Sequence, residues 1–378
     1  MLKVSRRTTW AAALVLAGVW IGSSAAAEEK KSWADTVTLK GDLRYRLEMI
    51  DEDGKDERYR ERIRARLNAE AKLNDEASVG IGFSSGGADP VSGNQSLGDG
   101  LAKKEIRLDL AYFKYAVVPE QLVLTGGRIN NPFIRTQDLI WDGDLKMDGL
   151  GLNAATSPGE DVELLANAGY IWLQEHSSDD DSMLYGGQAG VRFGLGETAQ
   201  LLVGGSVYHC ANLDGMGAMD WEGNNDFYGN SSRSIPVDAT TTTEVYAMDF
   251  LEVEGFVDLQ FEVAEQPMSI HGSYVVNTEA DSDDTGFLVG VSCGKAKKAG
   301  DLMVGYNYRD LEKDAVVGAF TDSDFGGGGT DVRGHRLYAS YALNSHWSLG
   351  GSCFVNEKKV SSDALDYQRY QLDLNVKF

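Results

Sequence analysis

Arg58-Tyr59-Arg60-Glu61-Arg62-Ile63-Arg64-Ala65-Arg66-Leu67-Asn68-Ala69-Glu70-Ala71-Lys72-Leu73 is the stretch that sorts the possible folds. In an extended chain successive side chains point to opposite faces, so a period of two splits this segment into two unlike surfaces. One carries Arg58, Arg60, Arg62, Arg64, Arg66, Asn68, Glu70 and Lys72; the other carries Ile63, Ala65, Leu67, Ala69, Ala71 and Leu73. The run is more than twice the ~5–6 residues of a common soluble strand. Placing five same-face arginines in the core of a β-sandwich would bury charge at prohibitive cost. A water-filled lumen accepts that face, and hydrocarbon accepts the other.

The same alternation continues on both sides. Leu39, Gly41, Leu43, Tyr45 and Leu47 alternate with Lys40, Asp42, Arg44, Arg46 and Glu48, and the chain closes with Tyr370, Leu372, Leu374, Val376 and Phe378 against Gln371, Asp373, Asn375 and Lys377. Further alternating runs fall near 77–85, 104–118, 120–129, 147–156, 162–174, 183–195, 198–211, 250–264, 268–278, 285–297, 300–312, 332–343 and 345–357. The total is about 16 strands, most long enough to cross a bilayer when tilted. Their connections alternate short and long. Asn74-Asp75-Glu76, Pro119-Glu120 and Asn344-Ser345 are short, whereas 86–103, 130–146, 212–249 and 313–331 are long. That rhythm belongs to transmembrane barrels, with tight periplasmic turns and longer outer loops. All six prolines fall in the expected connections, as their missing N–H requires. Aromatics near strand ends, among them Tyr45, Tyr112, Tyr208, Phe250 and Tyr370, suit interfacial girdles. The expected fold is therefore all-β, a transmembrane antiparallel up-and-down barrel.

Lys3, Arg6 and Arg7 precede an almost wholly apolar run from Trp10 to Ile21, and small residues Ser23–Ala27 precede Glu28. This is the layout of a cleaved secretory signal. The expected organisation is a signal peptide over 1–27 and one barrel domain over 28–378, located in the Gram-negative outer membrane. A mean hydropathy of -0.29 does not separate barrels from soluble proteins, since barrels hide their lipid face in alternation. The net charge of -23 becomes -26 without the signal's three cations, which argues against a nucleic-acid partner. Cys210, Cys293 and Cys353 have neither metal-ligand spacing nor an even count for a disulfide framework. The five histidines are dispersed, no nucleophile elbow or phosphate loop is present, and Gly326–Gly329 reads as a flexible outer loop. The reading is not an enzyme and needs no cofactor. Weak Ca2+ or Mg2+ binding at the acidic outer loops, bridging lipopolysaccharide phosphates, is the one metal expectation.

The segment Gly127-Arg128-Ile129-Asn130-Asn131-Pro132-Phe133, followed by Asp138-Leu139-Ile140-Trp141-Asp142-Gly143-Asp144 and Asp148-Gly149-Leu150, resembles a region of the bacterial "putative porin" family. The resemblance implies an outer-membrane pore for passive diffusion of ions and small hydrophilic solutes. In general porins the third loop folds inward, so residues 130–146 would form the constriction, and the same likeness implies a homotrimer embedded in lipid and lipopolysaccharide. On the loop side, Pro132, Phe133 and Trp141 would pack against the wall while Asp138, Asp142 and Asp144 face water. On the wall side, Arg44, Arg46, Arg62, Arg64 and Arg66 are the main candidates, with Arg107 and Arg128 beside them. Opposed charges would set a transverse field across the opening. An external third loop, and arginines simply paired with Asp42, Glu48 and Glu70, remain open alternatives. Two other functions also remain: an adhesin or surface anchor, favoured by the long loop 212–249, and a secreted soluble β-protein.

Overall fold

The computed structural model describes residues 36–177, 180–219, 221, 223 and 225–378. The signal expected over 1–27 lies outside them. The barrel strands are β1 (Val37–Glu52), β2 (Arg58–Lys72), β3 (Ala77–Ser85), β4 (Ile106–Val118), β5 (Leu122–Asn130), β6 (Lys146–Gly159), β7 (Val162–Gln174) and β8 (Ser182–Gly194). They continue as β9 (Ala199–Ala211), β10 (Phe250–Val263), β11 (Gln266–Asn277), β12 (Thr285–Gly294), β13 (Leu302–Leu311), β14 (Val332–Ala342), β15 (Trp347–Lys358) and β16 (Leu365–Lys377). Each strand pairs antiparallel with its neighbours in sequence, and β1 joins both β2 and β16. The sheet closes, which removes the free edges that lipid would leave unsatisfied.

The outer surface is apolar. Leu39 is 61% exposed and Leu337 59%, and Leu43, Leu47, Val79, Ile81, Val203, Val207, Leu349 and Leu372 share the outward phase. A continuous exposed band of this kind has no place on a water-soluble protein, so the soluble reading is excluded. Loops L1 (53–57), L2 (86–105), L3 (131–145), L4 (175–181), L5 (212–249), L6 (278–284), L7 (312–331) and L8 (359–364) leave from one end. L5 carries a small hairpin, Ser232–Pro236 with Thr242–Tyr246.

The hydrophobic core lies inside the barrel. Phe133, Leu139, Ile140 and Trp141 of L3 pack with Leu213, Met219, Phe227 and Tyr246 of L5, and with Val316, Val317, Phe320 and Phe325 of L7. Wall residues Ile171, Leu184, Tyr208, Phe250, Leu288 and Phe354 complete the cluster. Tyr208 and Phe250 are therefore lumen-facing anchors and not girdle residues. Three prolines correct the expectation of loop placement. Pro158, Pro236 and Pro267 occupy terminal strand positions, where a bulge or the hairpin end tolerates the lost donor. The glycine run is also corrected. Gly326 is buried, and an added Cβ on Gly329 would overlap the Tyr228 carbonyl, so the run is a packing device.

Candidate functional site

The register of three adjacent strands builds a basic wall. Across β1 and β2, Asp42 lies opposite Arg66, Arg44 opposite Arg64, Arg46 opposite Arg62, and Glu48 opposite Arg60. Across β1 and β16, Arg46 lies opposite Asp373. Two of these pairs set like charges face to face, an arrangement that destabilises a sheet unless counter-charge arrives from elsewhere. The inward loops bring it.

Asp144 of L3 sits 3.0 Å from Arg64 and 2.9 Å from Arg66, both of which also reach Asp42, at 3.1 and 2.8 Å. Asp324 of L7 sits 2.9 Å from Arg46 and 2.8 Å from Arg369, while Arg46 also holds Asp373 at 2.7 Å. Glu48 accepts hydrogen bonds from Arg60 and Arg369, with Arg62 at 3.8 Å. Seven arginines thus meet five carboxylates. The surplus centres on Arg44, which donates to the Asn94 side-chain amide oxygen at 2.6 Å; among the described residues the Nε atoms of Arg44, Arg62 and Arg64 have no hydrogen-bond partner. Burial alone would raise the Asp144 carboxyl, yet Arg64, Arg66 and Arg44 overcome it and hold it below the ordinary value. Asp324 follows the same logic: burial opposes ionisation, and Arg369 and Arg46 push its carboxyl well below the usual range.

The sequence segment that carried the family resemblance explains how L3 is held. Asn131 accepts the Phe133 N–H at 2.9 Å in a tight turn. Asn153 donates to the Pro132 carbonyl at 2.7 Å. The Phe133 ring then lies over Gly169 and Gly186, where any Cβ would overlap it. Gln188 secures the next residue in both directions, accepting the Ile134 N–H at 2.7 Å and donating to its carbonyl at 3.0 Å. Trp141 is 3% exposed, with its ring edge-on to Tyr208 at 5.2 Å and 6.0 Å from Phe320.

The three predicted loop acids part company. Only Asp144 reaches the arginine wall. Asp138 turns to Arg135 at 3.1 Å and Arg336 at 3.9 Å. Asp142 accepts the N–H groups of Asp144 at 2.6 Å and Ser323 at 3.2 Å, sealing L3 to L7. Its burial, with Asp322 and Asp144 nearby, raises its carboxyl well above the ordinary value. Asp138 is raised as well, by burial first and by Asp322. Among the predicted wall residues, Arg44, Arg46, Arg62, Arg64 and Arg66 share the lumen patch. Arg107 sits at its rim, paired with Glu105 at 2.8 Å. Arg128 pairs with Asp148 at 2.9 Å and lines a cavity together with Arg66, Arg107 and Asp144.

Sequence reasoning missed Arg369, Asp373, Asp324 and the whole of L7. The signal was present in Ala315-Val316-Val317-Gly318-Ala319-Phe320, an apolar run inside a long outer loop. Such a run has no reason to face water. L7 is fixed through its backbone: Val317 N–H donates to Glu252 at 3.1 Å, Gly318 N–H to Asn230 at 2.7 Å and Gly326 N–H to Asn356 at 3.0 Å. Among the described residues no three His, Cys, Asp or Glu side chains are grouped to hold a metal ion.

A closed barrel of sixteen antiparallel strands, with an apolar exterior and a charged lumen crossed by inward loops, defines an outer-membrane barrel of the porin type. The chain belongs to the family described as "Putative porin", whose profile matches residues 49–242 and 218–378. Its fold is similar to Pseudomonas putida OprB in a high-pH structure, with TM-score 0.56 and 10% identity over 91% of this chain and 94% of that one. It is also similar to Salmonella typhi OmpF in complex with daunomycin, with TM-score 0.53 and 10% identity over 90% and 97% of the two chains. A third similar structure is the trimer form of Vibrio cholerae OmpT, with TM-score 0.50 and 12% identity over 91% and 100%. Comparison with curated protein sequences gives no match. Family, fold and apolar band together place the protein in the Gram-negative outer membrane.

Proposed function

We propose that the protein conducts ions and small hydrophilic solutes passively, through a lumen narrowed where L3 and L7 face the arginine wall, with a preference for anions. The observation that carries this reading is the placement of Asp144 between Arg64 and Arg66 and of Asp324 between Arg46 and Arg369. The loop carboxylates answer part of the wall's charge and leave Arg44 without an ion pair among the described residues. Fixed charges that line a narrow, water-filled passage select by sign. The test is planar-bilayer recording on the purified protein in a KCl gradient. Stepwise conductance with a reversal potential on the anion side is expected; a folded protein that gives no steps sinks the channel reading.

The trimeric Vibrio cholerae structure supports a homotrimer, which mass measurement on the detergent-solubilised protein decides. Outer-loop carboxylates are proposed to bind Ca2+ or Mg2+ weakly and to bridge lipopolysaccharide phosphates. A denaturation temperature unmoved by EDTA in lipopolysaccharide-containing membranes would argue against that bridge. The hairpin of L5 carries a surface-binding role as second reading, which partner capture without conductance would support.

A further inference from the structure

Above the paired tiers of the wall, the lumen contains a cavity of about 440 Å³ that simple diffusion does not require. Six cationic and three carboxylate side chains line it. Arg58, Arg60 and Arg62 enter from β2, Arg369 from β16 and Lys358 from β15. Of the three lining carboxylates, Asp56 is exposed, Asp89 accepts the Val91 N–H at 2.9 Å, and Glu52 is shared between cations, as is nearby Glu48. Glu48 serves Arg60 and Arg369 and lies 3.8 Å from Arg62, while Glu52 serves Lys55 at 3.0 Å and Lys358 at 3.1 Å. Arg62 keeps an Nε without a partner, and Arg58 is exposed and makes no ion pair among the described residues. Gly327, Gly328 and Gly329 of L7 also line the cavity. Their φ values of +87, +97 and +91° are a conformation that favours glycine, so this strip brings backbone to the cavity.

We propose that this cavity is a binding subsite for small oxyanions carrying two or more charges, such as phosphate or a tricarboxylate. The guanidinium fork matches a pair of anionic oxygens, and cations arriving from three strands reward a ligand that offers oxygens in several directions. Chloride or a monocarboxylate engages one fork and gains little over water. Placed beside L7 and above Asp144, the subsite concentrates its ligand at the entry to the passage. That capture role rests on the channel reading, whereas binding itself does not.

The test is calorimetric titration of the purified full chain in detergent with citrate, with inorganic phosphate and with acetate, at matched ionic strength. Saturable citrate and phosphate binding is expected, with acetate at least roughly tenfold weaker. Arg58→Gln and Arg62→Gln should each weaken citrate binding roughly tenfold, as expected for a lost charged hydrogen bond. Heat-modifiable migration of both variants checks that the barrel is folded. Equal binding of citrate and acetate, or variants that bind citrate as the parent does, overturns the subsite. Bilayer recording separates the two readings: citrate binding without conductance removes the channel and keeps the subsite, and conductance without citrate binding does the reverse.

Discussion

L3 is held in the lumen chiefly by aromatic rings, whereas L7 adds to its own buried Val316, Phe320 and Phe325 a set of backbone N–H groups bonded to distant side chains. Phe133 and Trp141 settle among Tyr208, Phe320 and two glycine floors. The N–H groups of Val317, Gly318 and Gly326 instead find side-chain acceptors on Glu252, Asn230 and Asn356. Both loops end by presenting one carboxylate to the arginine wall, Asp144 to the lower tier and Asp324 to the upper. The contrast teaches that a segment can be buried in a barrel either by removing apolar area from water or by satisfying every polar group of its chain. The first route leaves bulky residues in the loop itself. The second depends on residues far away in sequence.

If L3 rests on its rings, Phe133→Ala with Trp141→Ala should release it, because each truncation removes about 3–5 kcal/mol of packing. Single-channel conductance should at least double, the largest effect expected; an unchanged value would mean that L3 does not limit the passage. L7 should break differently. Asn230 donates to the Lys313 and Val316 carbonyls at 2.9 and 2.8 Å and accepts the Gly318 N–H at 2.7 Å. Asn230→Ala orphans these buried groups at about 1–3 kcal/mol each. A lowered denaturation temperature and new protease cleavage within 312–331 should follow, with L3 still protected. Cleavage at both loops together would show that L7 supports L3 and that the two anchorages are one.

Replacing Arg64 and Arg66 with Gln should shift the reversal potential toward cations, by roughly twofold in permeability ratio. An unmoved potential would place both outside the narrow region. The smallest effect is on pH. Asp144 and Asp324 have depressed carboxyls, so their contribution is complete above the ordinary carboxylate value of 3.8 and is lost as pH falls through their lowered values. Asp142 is raised, so its sign is opposite: the seam between L3 and L7 is most comfortable when it is protonated and loses stability as pH rises from 3.8. A denaturation temperature that rises on mild acidification and then falls below that value is expected. A monotonic profile would refute the opposed signs.

This contrast also explains what the sequence could disclose. The alternation in β1, β2 and β16 placed the arginines on one face because a strand's geometry is local. Asn131-Pro132-Phe133 and Trp141 advertised L3 because large rings in a loop need a surface to cover. Asp144 was legible as a loop acid, yet its separation from Asp138 and Asp142 was not, since it depends on which N–H groups L7 offers. L7 itself was obscured by its glycines, which resemble a flexible tether until Tyr228 and Val332 are seen packed against them. Arg369 and Asp324 meet across 45 residues of chain, and no periodicity encodes that contact.

A conducting lumen whose ion preference is set between the loop carboxylates and the arginine wall can be read in bilayer recordings of the parent protein beside Asp144→Asn and Asp324→Asn. Stepwise conductance is expected, with a reversal potential on the anion side that moves further in that direction in each variant. Folded protein without steps, or variants whose reversal potential matches the parent, would contradict it.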